Sequence, residues 1–193
     1  MNRVNKLFSL HNKVIIVAGG AGQIGFSFSE ILADAGAQVI IADIDEEMAM
    51  RKIRGIDLES YDGFIEFIKL DVSSKKGVAE FYSALQSHIK EPLYGLVNSF
   101  HFKGNTRKLD ASSSFFADFE DYPEEAWDLV HDVNLKGSFL MSQMAVPLMR
   151  KGGVMVNISS TYGIGSANKS IYGNSGINSP VAYGTSKAAL EVA

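Results

Sequence analysis

Short runs of β-branched residues alternate along the chain with longer stretches whose apolar positions recur every three or four residues. Val14–Val17 is apolar throughout, the pattern of a strand buried on both faces. Beyond a glycine-rich turn, Ile24, Phe28, Ile31, Leu32 and Ala35 fall on one helical face, and Gly36 is placed to end that helix. Gln38–Ala42 reads as a second strand, and Asp45-Glu46-Glu47 favours a helix start just after it. A third strand is expected in Phe64–Leu70, a helix from Ser74 to His88, and a fourth strand in Gly95–Asn98. Residues 101–122 show little periodicity, and loops of that length are uncommon unless functional or mobile. Pro123 opens a helix carrying Trp127, Val130, Val133, Gly137, Leu140, Met141, Met144 and Leu148. Val154–Ile158 is a fifth strand, residues 160–179 form a second long loop, and a last helix begins near Pro180. Strands alternating with helices in this way predict an α/β fold around a parallel sheet.

Composition narrows the function. A length of 193 residues suits one domain or a small pair. With 46% hydrophobic and 21% charged residues, a disordered or fibrous chain is excluded. The net charge of -4 disfavours nucleic acid as a partner. The absence of cysteine removes disulfides, thiolate catalysis and Cys-ligated zinc. His11, His88, His101 and His131 share no ligand spacing, so no metal site is expected. No apolar run approaches the length of a membrane span, and the first residues lack a secretory pattern. A soluble cytoplasmic protein without membrane partners is the expectation.

Two constellations carry chemistry. Gly19, Gly22 and Gly25 follow a strand and precede a helix, where bare backbone N–H groups can receive a pyrophosphate. A flexible small-residue turn is the bland alternative. Asp43 ends the second strand, where a carboxylate accepts ribose hydroxyls and repels a 2′-phosphate, so NAD(H) is favoured over NADP(H). The alternative for Asp43 is a helix cap. Tyr183 and Lys187 lie one helical turn apart. A free phenol titrates near 10, and an acid/base near neutrality needs it about 3 units lower, about 4 kcal/mol. A cation about 4 Å away supplies about 4 kcal/mol at an effective dielectric of 20. A hydroxyl donor for the reacting oxygen is available at Ser159-Ser160, at the end of the fifth strand.

Taken in order, VAGGAGQIG at 17–25, Asp43, Leu70-Asp71-Val72, Leu96-Val97-Asn98, Val133–Gly137, Asn157-Ile158-Ser159-Ser160 and the Tyr183/Lys187 pair resemble the short-chain dehydrogenase/reductase superfamily across essentially the whole chain. The resemblance implies a Rossmann-type doubly wound parallel sheet with helices on both faces. Here it would form one NAD-binding domain over residues 1–193, C-terminally incomplete because the chain stops soon after the Lys187 helix begins. It implies Tyr183 as acid/base, Lys187 as its activator and a ribose ligand, and Ser160 orienting the carbonyl. Asn134 would help hold a water linking Lys187 to solvent. By position alone, Asn134 is either that relay or a satisfied core amide. Cofactor contacts are implied at Gly19, Gly22, Gln23, Ile24, Gly25, Asp43, Asn98, Tyr183 and Lys187, with the adenine near Asp71 and Val72.

Several departures shape the substrate expectation. Ala18 stands where Thr is usual, and the glycine spacing is that of extended, sugar-nucleotide-type members. Asn98-Ser99-Phe100-His101 replaces the usual Asn-Asn-Ala-Gly, and the interval from Ser160 to Tyr183 is long. Stretches around Ile171-Tyr172 and Pro180–Tyr183 look most like oxidoreductases of flagellin glycosylation and nonulosonic acid pathways. The expected function is an NAD(H)-dependent oxidoreductase that interconverts a secondary alcohol and a ketone on a small-molecule sugar or sugar derivative, assembled as a homodimer or homotetramer. The alternatives are a sugar-nucleotide epimerase or dehydratase with retained NAD, and a non-catalytic nucleotide-binding fragment. Lys103, Arg107 and Lys108 either receive an anionic sugar group or form a solvated loop face. His101 either touches substrate or is solvated.

Overall fold

Each apolar run becomes a strand, and each strand lies parallel to its neighbours. The strands are β1 (Val14–Ala18), β2 (Gln38–Asp43), β3 (Phe64–Lys69), β4 (Leu93–Asn98) and β5 (Val154–Asn157), ordered β3-β2-β1-β4-β5. The computed structural model describes residues 7–102, 114–149, 152–175 and 177–192. Lys103, Arg107 and Lys108 lie outside the described residues. The helices are α1 (Gln23–Asp34), α2 (Glu46–Arg54), α3 (Lys75–His88), α4 (Glu124–His131), α5 (Gly137–Ala145), α6 (Thr161–Ile164) and α7 (Val181–Leu190).

The chain forms two compact units, one running to Phe100 and adding Leu140–Ile158, the other made of His101–Phe139 and the residues from Ser159 onward. In the first unit, strand alternation splits the core. Val14, Ile16 and Ala18 face Val78, Phe81 and Leu85 of α3 and Leu140, Met141 and Ala145 of α5. Ile15 and Val17 point the other way, to Phe26 and Ala33 of α1 and Ala49 and Ile53 of α2. A sheet covered on both faces needs such uniformly apolar strands, and β1 is buried along its whole length. The strand order reverses direction between β1 and β4, which in doubly wound sheets opens a crevice at the strand C-termini.

The buried stripe of α1 differs from the expected one. Gly25, Phe26, Ser29 and Ala33 face the sheet, while Ile24 and Ile31 are 56% and 67% exposed. Small residues let the helix approach closely, and Ser29 satisfies its hydroxyl by donating to the Gly25 carbonyl at 2.9 Å. Gly36 ends the helix as expected, at φ 97.

The second unit has a small core of its own, where Phe115, Phe116, Val130 and Ala182 pack with Phe102, Tyr122 and Ile177. His131 ties α4 to α7, with Nδ1 2.9 Å from the Trp127 carbonyl and Nε2 3.2 Å from Thr185 Oγ1. The expected long helix from Pro123 is one helical run with a π-helical segment, Asp132–Lys136, between α4 and α5. The expected loop 160–179 is partly helical, holding α6 and a 3-10 turn at Lys169–Tyr172. Among the described residues no helix is long and apolar enough to cross a membrane.

Candidate active site

The glycine turn joins β1 to α1 in the first unit. Gly19 adopts φ 79, and a Cβ there would lie 2.6 Å from the Phe100 backbone nitrogen. A Cβ on Gly25 would press into the Gly19 carbonyl oxygen. The turn can close this tightly only without side chains at those positions. Gly22 begins α1 with no side-chain cap, so the first amides of a 12-residue helix are left to an outside acceptor. Gln23 and Ile24 are the first two helical residues, and both are exposed.

Charged groups hold the turn from both sides. Asp43 Oδ2 accepts from the Ala21 amide at 3.0 Å, and its Oδ1 accepts from the Asp45 amide at 3.0 Å. The cap of α2 is Asp45, which accepts from the Met48 amide at 3.0 Å; Asp43 therefore links the turn to the end of β2 rather than capping a helix. Lys52 reaches back from α2 to donate to the Gly22 carbonyl at 3.0 Å, with its ammonium 5.0 Å from the Phe26 ring centroid. Lys52 was not foreseen, because a side chain returning 30 residues to a turn leaves no local pattern.

Asn98 ends β4, next to Ala18. Its Nδ2 donates to Asn157 Oδ1 at 2.8 Å, while its own Oδ1 and the neighbouring Ser99 Oγ are buried without a partner. Buried oxygens of this kind call for a donor. Bare helix amides for a diphosphate, a carboxylate at the end of β2 and orphaned oxygens at the end of β4 together fit a dinucleotide. Asp71 Oδ1 accepts from the amide and hydroxyl of Ser73 at 2.9 and 2.7 Å, and Val72 packs half-buried against the core.

The residues expected to carry the acid/base chemistry belong to the second unit. Tyr183 and Lys187 share a face of α7, with the Lys187 ammonium 6.0 Å from the Tyr183 ring centroid. Lys187 is only 3% exposed, and burial lowers its pKa to about 8. Its carbonyl accepts from Ser159 Oγ at 3.0 Å. Ser160 Oγ accepts from the Tyr162 amide at 3.2 Å as the cap of α6, leaving its hydrogen to donate elsewhere. The imidazole of His101 meets Tyr183 edge-on, with ring centroids 6.1 Å apart.

Asn134 is fully buried in the π-helical segment. Its Oδ1 accepts from the Phe102 amide at 2.8 Å, and its Nδ2 donates to Ser186 Oγ at 3.0 Å. Ser186 in turn donates to the Tyr183 carbonyl at 2.8 Å. The amide thus positions α7 beneath Tyr183. Its main-chain carbonyl accepts from Ser138 Oγ at 2.8 Å.

A profile of the family described as enoyl-(acyl carrier protein) reductase matches residues 19–193. The chain belongs to the short-chain dehydrogenase/reductase superfamily. It is 28% identical over 188 residues to an NAD-dependent glycerol dehydrogenase of Listeria innocua, covering 96% of this chain and 63% of that one. It is 31% identical over 189 residues to a rhamnolipids biosynthesis 3-oxoacyl-[acyl-carrier-protein] reductase of Pseudomonas aeruginosa, covering 95% and 64%. Among solved structures, the Pseudomonas aeruginosa RhlG/NADP active-site complex superposes with a TM-score of 0.76 at 29% identity, covering 96% of this chain and 65% of that one. The chain thus spans just under two thirds of these relatives.

Within this short-chain dehydrogenase/reductase chain the two neighbouring serines have separate uses. Ser159 is committed to the Lys187 carbonyl, while Ser160 keeps a hydrogen to give. One further polar contact has no signal in the sequence. Tyr172 donates to the Tyr162 hydroxyl at 3.1 Å, a pairing across ten positions that no periodicity announces.

Proposed function

We propose that the chain carries the dinucleotide-binding and acid/base parts of an NAD(H)-dependent oxidoreductase that interconverts a secondary alcohol and a ketone. The observation that carries this reading is the buried Lys187, with its ammonium 6.0 Å from the Tyr183 ring centroid on the same helical face. The dinucleotide, when bound, supplies the hydride acceptor or donor. In oxidation Tyr183 Oη takes the proton of the alcohol oxygen, and in reduction it returns that proton. Lys187 supplies the cation on the same helical face, and Ser160 Oγ donates to the reacting oxygen. Asn134 holds α7 through Ser186, and its carbonyl is the group suited to bind a relay water. Gly19, Gly22, Gln23, Ile24 and Gly25 would take the diphosphate, Asp43 the ribose, and Asp71, Val72 and Asn98 the nucleoside side of the crevice.

The relatives' names point to two substrate chemistries, a polyol and a 3-oxoacyl chain. We assign a sugar or sugar derivative, as in the flagellin-glycosylation and nonulosonic acid oxidoreductases, on the strength of the likeness at Ile171-Tyr172, Pro180–Tyr183 and the Met-rich helix. Homodimeric or homotetrameric assembly belongs to the same reading, supported by the exposed Phe139 and Val146.

The acid/base assignment is tested by pH. Lys187 titrates at about 8, so below that value it is an ammonium beside the phenol, and above it the charge is lost. The rate of alcohol oxidation at saturating dinucleotide should therefore break downward as pH rises through about 8. A Lys187→Arg variant, charged throughout, should lack that break. A wild-type profile that climbs without a break to pH 10, roughly the ordinary phenol value, would refute the role.

Cofactor choice is tested by titration calorimetry. The Asp43 carboxylate repels a 2′-phosphate, while Lys52 puts a cation on the same turn. If the carboxylate dominates, NAD⁺ binds at least about tenfold more tightly than NADP⁺. Equal affinities would remove the preference, and reversed ones would give it to NADP(H).

A further inference from the structure

The interval between Ser160 and Tyr183 folds around a pair of phenols. Tyr162 lies on α6, the helix that Ser160 caps, and Tyr172 ends the 3-10 turn that follows. The Tyr172 hydroxyl donates to the Tyr162 hydroxyl at 3.1 Å, so the hydrogen of Tyr162 is left for another acceptor. Tyr162, Ser179, Val181 and Gly184 line one cavity, so the phenol pair lies close to the first turn of α7, which carries Tyr183. Burial raises the pKa of Tyr172 above the usual phenol value, and its bond to Tyr162 pushes it further. Ser179 acts on Tyr172 in the opposite direction as a hydrogen-bonding neighbour.

Tyr172 and Ser179 also line a cavity of about 310 Å³. Its wall continues through Phe119, Asp118 and Lys169. Phe119 is 78% exposed, and beside it Lys169 Nζ lies 2.7 Å from Asp118 Oδ1. An uncovered aromatic face flanked by a carboxylate, an ammonium and hydroxyls is a poor lining for an acyl chain. The chain would strip water from the charged pair and give nothing back. The same lining suits a ring whose C–H face is apolar and whose rim carries hydroxyls, each able to donate and to accept.

We propose that Phe119, Asp118, Lys169, Tyr172 and Ser179 form the substrate subsite next to Tyr183, and that it takes a polyhydroxylated ring. The ring face lies on Phe119, and its hydroxyls meet Asp118, Lys169 and Tyr172. This deepens the oxidoreductase reading and rests on Tyr183 being its acid/base.

The test is binding rather than turnover, so that the two readings can fail separately. Glucose, N-acetylglucosamine and xylitol are titrated into the full chain by saturation-transfer NMR, with cyclohexanol as the ring without its extra hydroxyls. At least one cyclic sugar should bind more tightly than cyclohexanol, with saturation delivered to its ring protons. Asp118→Asn, a change at an exposed side chain, should weaken that sugar about tenfold and leave cyclohexanol unchanged, whereas Phe119→Ala, also at an exposed side chain, should weaken both, because both rings present an apolar face to Phe119. The subsite is overturned if no sugar binds at millimolar concentration, or if sugar binding is unaltered in both variants. Sugar binding that persists while no alcohol is oxidised with either dinucleotide would overturn the acid/base reading alone.

Discussion

Replacing Tyr183 by Phe should lower alcohol oxidation by about 10²- to 10⁴-fold, the range lost with a positioned general acid/base. The substitution removes one oxygen and leaves the ring that lies 6.0 Å from the Lys187 ammonium and 6.1 Å from the His101 ring. The supports of α7 do not involve that oxygen. Ser186 bonds the Tyr183 carbonyl, Asn134 bonds Ser186, and Ser159 bonds the Lys187 carbonyl. Melting temperature should therefore be nearly unchanged, and so should dinucleotide affinity, because the glycine turn belongs to the other unit. Equal activity in the variant would remove Tyr183 from the chemistry. Collapse of folding would show that the hydroxyl is structural.

Gly25→Ala should produce the second large loss, in binding rather than in proton transfer. The added methyl would sit against the Gly19 carbonyl oxygen and the backbone of Gly20, which cannot rotate away as a flexible side chain could. The turn must open, and the first amides of α1 move with it. Dinucleotide affinity should fall by at least about tenfold, accompanied by a loss of stability of about 1–3 kcal/mol from overpacking. Calorimetry and thermal melting separate the two effects. At Gly165, where an added Cβ meets nothing within 4 Å, the same substitution should leave dinucleotide affinity intact. Unchanged affinity in Gly25→Ala would mean that the turn does not receive the diphosphate.

The centre of the sheet is legible because β1 and β2 are buried on both faces, whereas β5 is exposed along most of its length. An uninterrupted run such as Val14–Val17 has few other uses, and the glycines and the Asp43 carboxylate mark its C-terminal side. The face of α1 was misjudged for a physical reason. Helix-period counting follows large apolar side chains, whereas close packing on a sheet selected Gly25, Ser29 and Ala33 and left Ile24 and Ile31 outside. Phe115 and Phe116 sit in an aperiodic stretch, and their burial depends on partners such as Val130 and Ala182 that are distant in sequence, so no local pattern marks them. The spacing of Tyr183 and Lys187 was visible; the burial of Lys187 was not, since it depends on packing. The choice of Ser160 over Ser159 came from resemblance, and the hydrogen bonds supply a reason for it: Ser159 gives its hydrogen to α7. Lys52 on Gly22 and Tyr172 on Tyr162 are contacts between segments that neither composition nor period connects.

The central claim is hydride transfer between a nicotinamide and a secondary alcohol on this chain. Its most direct test is the near-ultraviolet absorbance of reduced nicotinamide, followed after the chain is mixed with NAD⁺ and a panel of secondary alcohols that includes sugars. The predicted result is growth of that absorbance with at least one alcohol, in proportion to ketone formed. The contradictory result is a dinucleotide that binds, or stays bound through gel filtration, while every alcohol is left unoxidised and no net reduced nicotinamide accumulates. That outcome would describe an epimerase or dehydratase that retains its NAD, or a nucleotide-binding chain without this chemistry.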